Sequence, residues 1–196
     1  MEQPTIQTER LVLRPFDEGD ATAVQRLAGE REIADTTLNV PHPYGDGMAE
    51  QWIATHADQF AEGSNAVFAI VERESNHLAG AIGLKIEPAI RKAELGYWVG
   101  VPYWSRGYAT EASEAMLAYG FEQLGLNRIA AQHFTRNPAS GRVMQKIGMS
   151  YEGTLRQGTM KWGRFEDLDV YSALREEWLS ERLQDRSQST TRKYWR

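Results

Sequence analysis

The 196-residue chain contains no cysteine. Disulfides, thiolate metal sites and a cysteine nucleophile are excluded together, so any acyl transfer must use another nucleophile or pass directly to the acceptor. It has four histidines, His42, His56, His77 and His133, scattered without metal-ligand spacing, and no metal is expected. No apolar run is long enough to span a membrane. Met1-Glu2-Gln3-Pro4 opens a polar segment without the basic and apolar regions of a signal peptide, which leads to the expectation of a cytoplasmic protein. Gly-x-x-x-x-Gly-Lys-Ser/Thr and Gly-x-Gly-x-x-Gly runs are missing, which weighs against an unrelated nucleotide-binding α/β protein. A Gly-x-Ser-x-Gly elbow is missing too, which weighs against a serine hydrolase. An excess of positive charge is lacking as well: the net charge of −5 argues against nonspecific nucleic-acid binding and suits a cationic amine.

What is present, 41% hydrophobic and 25% charged residues, fits a globular protein, and the length is right for one α/β domain and short for two. Residues 1–179 are read as that domain and 180–196 as a polar tail, with Tyr194 and Trp195 as its available anchors on the domain or on a neighbour. Thr8 to Pro15 alternates Leu11 and Leu13 against Arg10, Val12 and Arg14, and with Pro15 as its stop it predicts a first strand at a sheet edge. Asp17 and Asp20 offer caps for a helix over Ala21 to Ala28. Thr36 to Gly47 is broken by prolines and glycines, after which Asp46 can cap a helix to about Phe60, with Met48, Trp52 and Ile53 inward. Val67 to Val71, Leu78 to Ile86 and Ala93 to Val99, joined by short polar turns, predict an antiparallel meander. A helix from Gly107 to about Leu124, a strand Asn127 to Phe134, a helix from Asn137 to about Ile147 stopped by Gly148, and the pair Met149 to Arg156 and Phe165 to Leu174 complete the order.

The stretch around which the rest is organised runs from Tyr103 to Ala112. It joins the strand ending at Val99 to the helix whose Ala109, Ala112, Met116 and Tyr119 recur at helical spacing. Gly107 at the mouth of that helix lets the backbone approach a ligand, and the free amides and positive dipole end attract an anion. The same residues also describe an ordinary strand-to-helix turn.

Ser105-Arg106-Gly107-Tyr108-Ala109-Thr110-Glu111-Ala112 resembles the pyrophosphate-binding loop of the GNAT acetyltransferase superfamily, and more closely its ribosomal-protein N-terminal acetyltransferase branch. Gly107 and Ala109 match the pattern, while Trp104 stands where Gln or Arg is general, an aromatic departure familiar in that branch. Asn137 and Ser140, followed by Lys146-Ile147-Gly148-Met149 and Glu152-Gly153, resemble a second motif of the branch, with Met149 in place of its usual Phe. The resemblance covers nearly the whole chain. It implies an α/β (α+β) fold with a mixed, mostly antiparallel central sheet flanked by helices on both faces. It also implies acetyl-CoA bound in the splay between Ala93–Val99 and Asn127–Phe134, with Tyr97, Trp98, Val99, Trp104, Ser105, Arg106, Gly107, Tyr108, Ala109, Thr110, Asn137 and Ser140 as its binding residues. Arg106 would then be the side-chain cation near the phosphates.

Glu94 is the only carboxylate within the apolar strand Ala93 to Val99 and shares a face with Gly96 and Trp98. It reads either as a half-exposed residue paired with Lys85 or Arg91 or, by resemblance, as a general base. A protonated amine has no lone pair to attack with, and a carboxylate raised in pKa beside Trp98 would remove that proton directly or through water. Asn137 before Pro138 is equally an N-cap, and Ser140 could bond only to backbone. The resemblance makes Ser140 a hydrogen-bond donor that stabilises the departing thiolate. The expectation is therefore an acetyl-CoA-dependent N-acetyltransferase acting on a primary amine, a protein N-terminus in preference to a small amine. The alternative is a catalytically silent acyl-CoA sensor, against which the presence of both Glu94 and Ser140 counts. Homodimerisation is compatible with the sequence and not specified by it.

Overall fold

A computed structural model of the chain describes residues 2–180 and 182. Among these, eight strands form one sheet in the order β1-β2-β3-β4-β5-β6-β8-β7, with β5 and β6 parallel and every other pairing antiparallel. The strands are β1 (Ile6–Gln7), β2 (Leu11–Arg14), β3 (Asn65–Glu72), β4 (Leu78–Glu87), β5 (Lys92–Val99), β6 (Arg128–Phe134), β7 (Ser150–Lys161) and β8 (Arg164–Leu174). The helices are α1 (Ala21–Ala28), α2 (Arg31–Thr36), α3 (Met48–Ala54), α4 (His56–Ala61), α5 (Tyr108–Ala118) and α6 (Pro138–Lys146).

Alternation along the strands feeds two cores. Phe68, Ile70, Ile82, Leu84 and Leu95 point to one face, where Tyr108, Ala112, Met116 and Leu117 of α5 and Met144 of α6 cover them. Ala69, Val71, Ala81 and Trp98 point to the other, against Val24 and Leu27 of α1 and Ala49 and Ile53 of α3. Covering both faces makes β3 and β4 almost continuously buried, and each buried side chain the size of Phe68 contributes about 1.5–3 kcal/mol.

The meander, α1, the helix after Gly107, β6 and α6 stand where the sequence places them, as does the closing pair except that its first strand, expected to end at Arg156, continues to Lys161. Four local expectations change. The strand Leu11–Arg14 is not the edge, because β1 pairs beside it through Ile6↔Leu13 and Gln7↔Val12. Residues 31–36, outside every helix expected from the sequence, form α2, whose buried Ile33 and Ala34 are tertiary contacts that a polar hexapeptide does not advertise. The expected helix to Phe60 is two helices. Its cap is Gly47 in the left-handed region, while Asp46 accepts a hydrogen bond from Gln25 instead, and Met48, expected inward, is 39% exposed. Helix α5 continues as a π-helical turn over Tyr119–Gln123, closed by Leu124 N–H donating to the Tyr119 carbonyl. Beyond β8, residues 175–180 are helical, and Trp178 packs on Phe121. Tyr194 and Trp195, suggested as anchors, lie outside the described residues.

Candidate active site

The parallel pairing of β5 with β6 stops early. Lys92, Ala93 and Glu94 match Arg128, Ile129 and Ala130, and beyond them β6 follows β8 while β5 stays with β4 as far as Val99. Gly100 N–H donates to the Ala79 carbonyl at 2.9 Å, so by antiparallel alternation Trp98, Gly96 and Glu94 are the β5 residues bonded to β4. Tyr97 and Val99 therefore turn their backbone groups toward the parting. The Val99 carbonyl is taken by the Trp104 indole N–H at 2.5 Å. The N–H and C=O of Tyr97 and the N–H of Val99 are left facing an open slot.

The loop after β5 leads to the mouth of that slot. Ser105 (φ 61°) and Gly107 (φ 82°) both adopt the left-handed region, and Gly107 is the N-cap of α5. The amides from Arg106 to Thr110 lie around this cap, with Ala109 and Thr110 half-buried behind it. Tyr108 is buried, and its hydroxyl donates to Glu72. Arg106, expected as the phosphate-side cation, is half-exposed, 3.4 Å from Glu72 and over the Tyr103 ring. A second cation that sequence reading missed is Arg10. Its Nη1 donates to the Arg106 carbonyl at 2.8 Å and its Nε to Glu111 at 2.7 Å, and Glu111 in turn accepts from Thr8 Oγ1 and the Arg10 amide. These partners hold the Glu111 carboxyl below its ordinary range against the opposing effect of burial. No local motif signals Arg10, because its partners are about 100 positions away.

Across the slot stands α6. Asn137 is its N-cap, with Oδ1 accepting from Ser140 N–H at 3.4 Å, so the capping role read from Asn-Pro holds. Ser140 does not spend its hydroxyl on the backbone. Its Oγ lies 2.7 Å from the Tyr97 hydroxyl, a bond that spans the parted strands. Burial pushes the Tyr97 phenol up to about 12, with the Ser140 bond opposing in part, so Tyr97 remains a protonated donor at any working pH. His133 supports this corner. Its Nδ1 faces the carbonyl of Phe134 at 2.7 Å, which only accepts, so the proton resides there. Nε2 is left buried without a partner, 4.0 Å from Asp169. A Cβ at Gly141 would fall 2.7 Å from that nitrogen, so the glycine next to Ser140 is what lets α6 seat on the imidazole.

On the opposite face of the sheet, three rows of paired residues run across β3, β4 and β5: Asn65–Lys85–Glu94, Val67–Gly83–Gly96 and Ala69–Ala81–Trp98. The glycine row leaves open space above Gly96. A cavity of about 730 Å³ occupies it, roofed by Val24, Tyr44, Met48, Trp52 and the 36–41 segment and reaching Tyr97 and Ser140 through the slot. Glu94 lines it and is exposed, accepting from Gln132 Nε2 at 2.9 Å. The burial beside Trp98 that the sequence suggested is absent, since Trp98 lies two rows away under α1. Neither Lys85 nor Arg91 is ion-paired with Glu94 among the described residues. Glu152 lies elsewhere: Arg128 and Ser172 hold it down at about 2, and it does not line the cavity. Trp98 and Tyr97 thus line the cavity, Trp104 and Tyr108 serve the loop's own structure, and Gln132, which holds Glu94, is among the lining residues that sequence reasoning did not connect to the site.

A sheet parted between parallel neighbours, with a glycine-capped helix at one end and a carboxylate and a serine on its two sides, is the arrangement that the resemblance of the loop and the Asn137 motif implies. Residues 10–150 match the family model described as Acetyltransferase (GNAT) domain, and the chain belongs to that family. It is 33% identical over 173 residues, 88% of this chain and 97% of the other, to the uncharacterized N-acetyltransferase YoaA of Bacillus subtilis (strain 168). It is 26% identical over 102 residues, 52% of this chain and 57% of the other, to the ribosomal-protein-serine acetyltransferase of Escherichia coli (strain K12). In fold it matches a RimL ribosomal L7/L12 alpha-N-protein acetyltransferase in complex with coenzyme A, with a TM-score of 0.81 and 19% identity over 87% of this chain and 98% of that one. The protein is an N-acetyltransferase that uses acetyl-CoA and an amine acceptor. No helix among the described residues is long and apolar enough to cross a membrane.

Proposed function

We propose that the protein acetylates the α-amine at a polypeptide N-terminus, with the donor entering the β5–β6 slot from the α5–α6 face and the acceptor entering the cavity from the α1–α3 face. The observation that carries this reading is the slot itself. Its open β5 edge lies between Ser140 and Tyr97 on one face and Glu94 on the other. The residues fit acetyl-CoA: the free Tyr97 and Val99 backbone groups can pair with the amides of its pantetheine arm as an added strand does. The amides from Arg106 to Thr110 at the α5 N-terminus, with Arg106 and Arg10 beside them, suit its pyrophosphate.

Acetyl-CoA supplies a thioester carbonyl already activated for attack. Glu94, fixed by Gln132, takes the proton of the acceptor ammonium directly or through one water, which frees the nitrogen lone pair. The new C–N bond forms as the C–S bond breaks, and the second proton of the nitrogen leaves with the thiolate, which departs as the coenzyme A thiol. Tyr97 and Ser140 together own two O–H groups and use one in their mutual bond, so one remains to donate to the departing sulfur. A free amide on the β5 edge is positioned to polarise the carbonyl oxygen, a contribution commonly worth about 2.7–4 kcal/mol.

The cavity favours a peptide over a polyamine. Among the described residues lining it, Glu94 is the only carboxylate, whereas Asn39, Asn65, Gln132, Thr36 and Thr37 offer amides and hydroxyls suited to a peptide backbone. A polyamine would bury additional ammonium groups there without partners. The test is an acetylation screen over N-terminal peptides, polyamines and aminoglycosides read by mass spectrometry. Acetylation at the α-amine of peptides is expected, and turnover confined to polyamines or aminoglycosides would overturn the assignment.

A further inference from the structure

The charged row of the cavity floor is not symmetric in its pairing. Lys85 and Glu94 are register partners on adjacent antiparallel strands and point to the same face, where opposite charges ordinarily join. Here Glu94 is occupied by Gln132, and Lys85 makes no ion pair among the described residues. Both line the cavity, beside the gap left by Gly83 and Gly96. A bound acceptor therefore meets a carboxylate and an ammonium side by side, one register step from the glycine floor. Lys85 and Glu94 are the cavity's only lysine or arginine and its only carboxylate among the described lining residues. An acceptor that presents its amine to Glu94 and nothing to Lys85 leaves a cation facing its own cationic end. An acceptor with a negative group close behind the amine satisfies both.

We infer that the acceptor carries a carboxylate near its reacting amine and that Lys85 is the specificity-determining residue that reads it. The inference rests on the acceptor occupying the cavity as proposed above, and it names the substrate class more narrowly. For a peptide the carboxylate is an acidic side chain within the first residues; for a small acceptor it is the acid of an amino acid.

The experiment measures kcat/KM with three peptides that differ only at the second residue, Glu, Gln or Lys, for wild type, Lys85→Gln and Lys85→Glu. Wild type is expected to prefer Glu over Gln by roughly fivefold, the upper end for a solvent-exposed ion pair, and to disfavour Lys. Lys85→Gln should flatten the series and Lys85→Glu should invert it. Lys85 is exposed, so both variants should fold, which thermal unfolding verifies. A wild type indifferent to the second residue, or a preference for Glu that survives in Lys85→Glu, overturns the inference. If no peptide is turned over while a small amine is, the N-terminal assignment fails by itself. The role of Lys85 is then read from β-alanine against its amide with the same three enzymes, and equal rates with both would overturn it.

Discussion

The hydroxyl pair across the slot makes a prediction whose size follows from counting donors. Tyr97 and Ser140 share one hydrogen bond 2.7 Å long and have one O–H left over. Because the phenol is buried and held at about 12, it stays protonated. The arrangement that serves a sulfur at the end of α6 is Tyr97 donating to Ser140 Oγ while the serine proton points outward. Ser140→Ala removes the bond to a developing thiolate. Hydrogen bonds to charged groups are worth about 1.5–3 kcal/mol, so kcat/KM should fall by roughly 10- to 150-fold. Tyr97→Phe leaves the serine in place but free to rotate, and the loss of one neutral bond, about 0.5–1.5 kcal/mol, corresponds to roughly 2- to 12-fold. If the tyrosine acts through the serine, the double variant should be no worse than Ser140→Ala, giving a coupling free energy close to the Tyr97→Phe effect. The assay is simple in this protein: with no cysteine in the chain, a thiol reagent in the reaction registers only released coenzyme A. Multiplying effects in the double variant, or a Ser140→Ala enzyme of wild-type rate, would refute the reasoning.

Glu94→Gln is expected to lower kcat/KM by about 10²- to 10⁴-fold and to remove the acidic limb of its pH profile, whereas Ser140→Ala should keep that limb. A pH series on both purified variants checks this, and near-normal rates with the limb intact in Glu94→Gln would make Glu94 structural. A third prediction concerns stability. His56 is buried against Trp52 and Phe16 with both ring nitrogens unpartnered, and burial lowers it from 6.5 to about 4. The unfolded chain takes up that proton near pH 6.5 and the folded one only near 4, so this site's contribution is complete above 6.5 and is lost as pH falls toward 4. At about 1.4 kcal/mol per pH unit the loss across that window approaches 3 kcal/mol. Urea midpoints at pH 7 and pH 4.5 should fall less far apart in His56→Leu than in wild type; equal spacing would show that the histidine does not carry the effect.

Local chemistry was enough for much of this molecule. The alternation of Leu11 and Leu13, the turns between β3, β4 and β5, Gly107 at the start of α5 and Asn137 before Pro138 each depend on a few adjacent residues. A backbone preference or a cap is decided within one turn of chain. Tertiary structure decided the rest. That β5 abandons β6 after Glu94 is a matter of register between strands that are far apart in sequence, and it determines which backbone groups of Tyr97 and Val99 remain unpaired. Tyr97 meets Ser140 across 43 positions and Gln132 meets Glu94 across 38, and neither partner can be chosen until the sheet order is known. The exposure of Glu94 belongs to the same category. The sequence allowed either a half-exposed Glu94 paired with Lys85 or Arg91 or a carboxylate raised in pKa beside Trp98, and only the fold shows it exposed, held by Gln132 and one register row from the open space above Gly96.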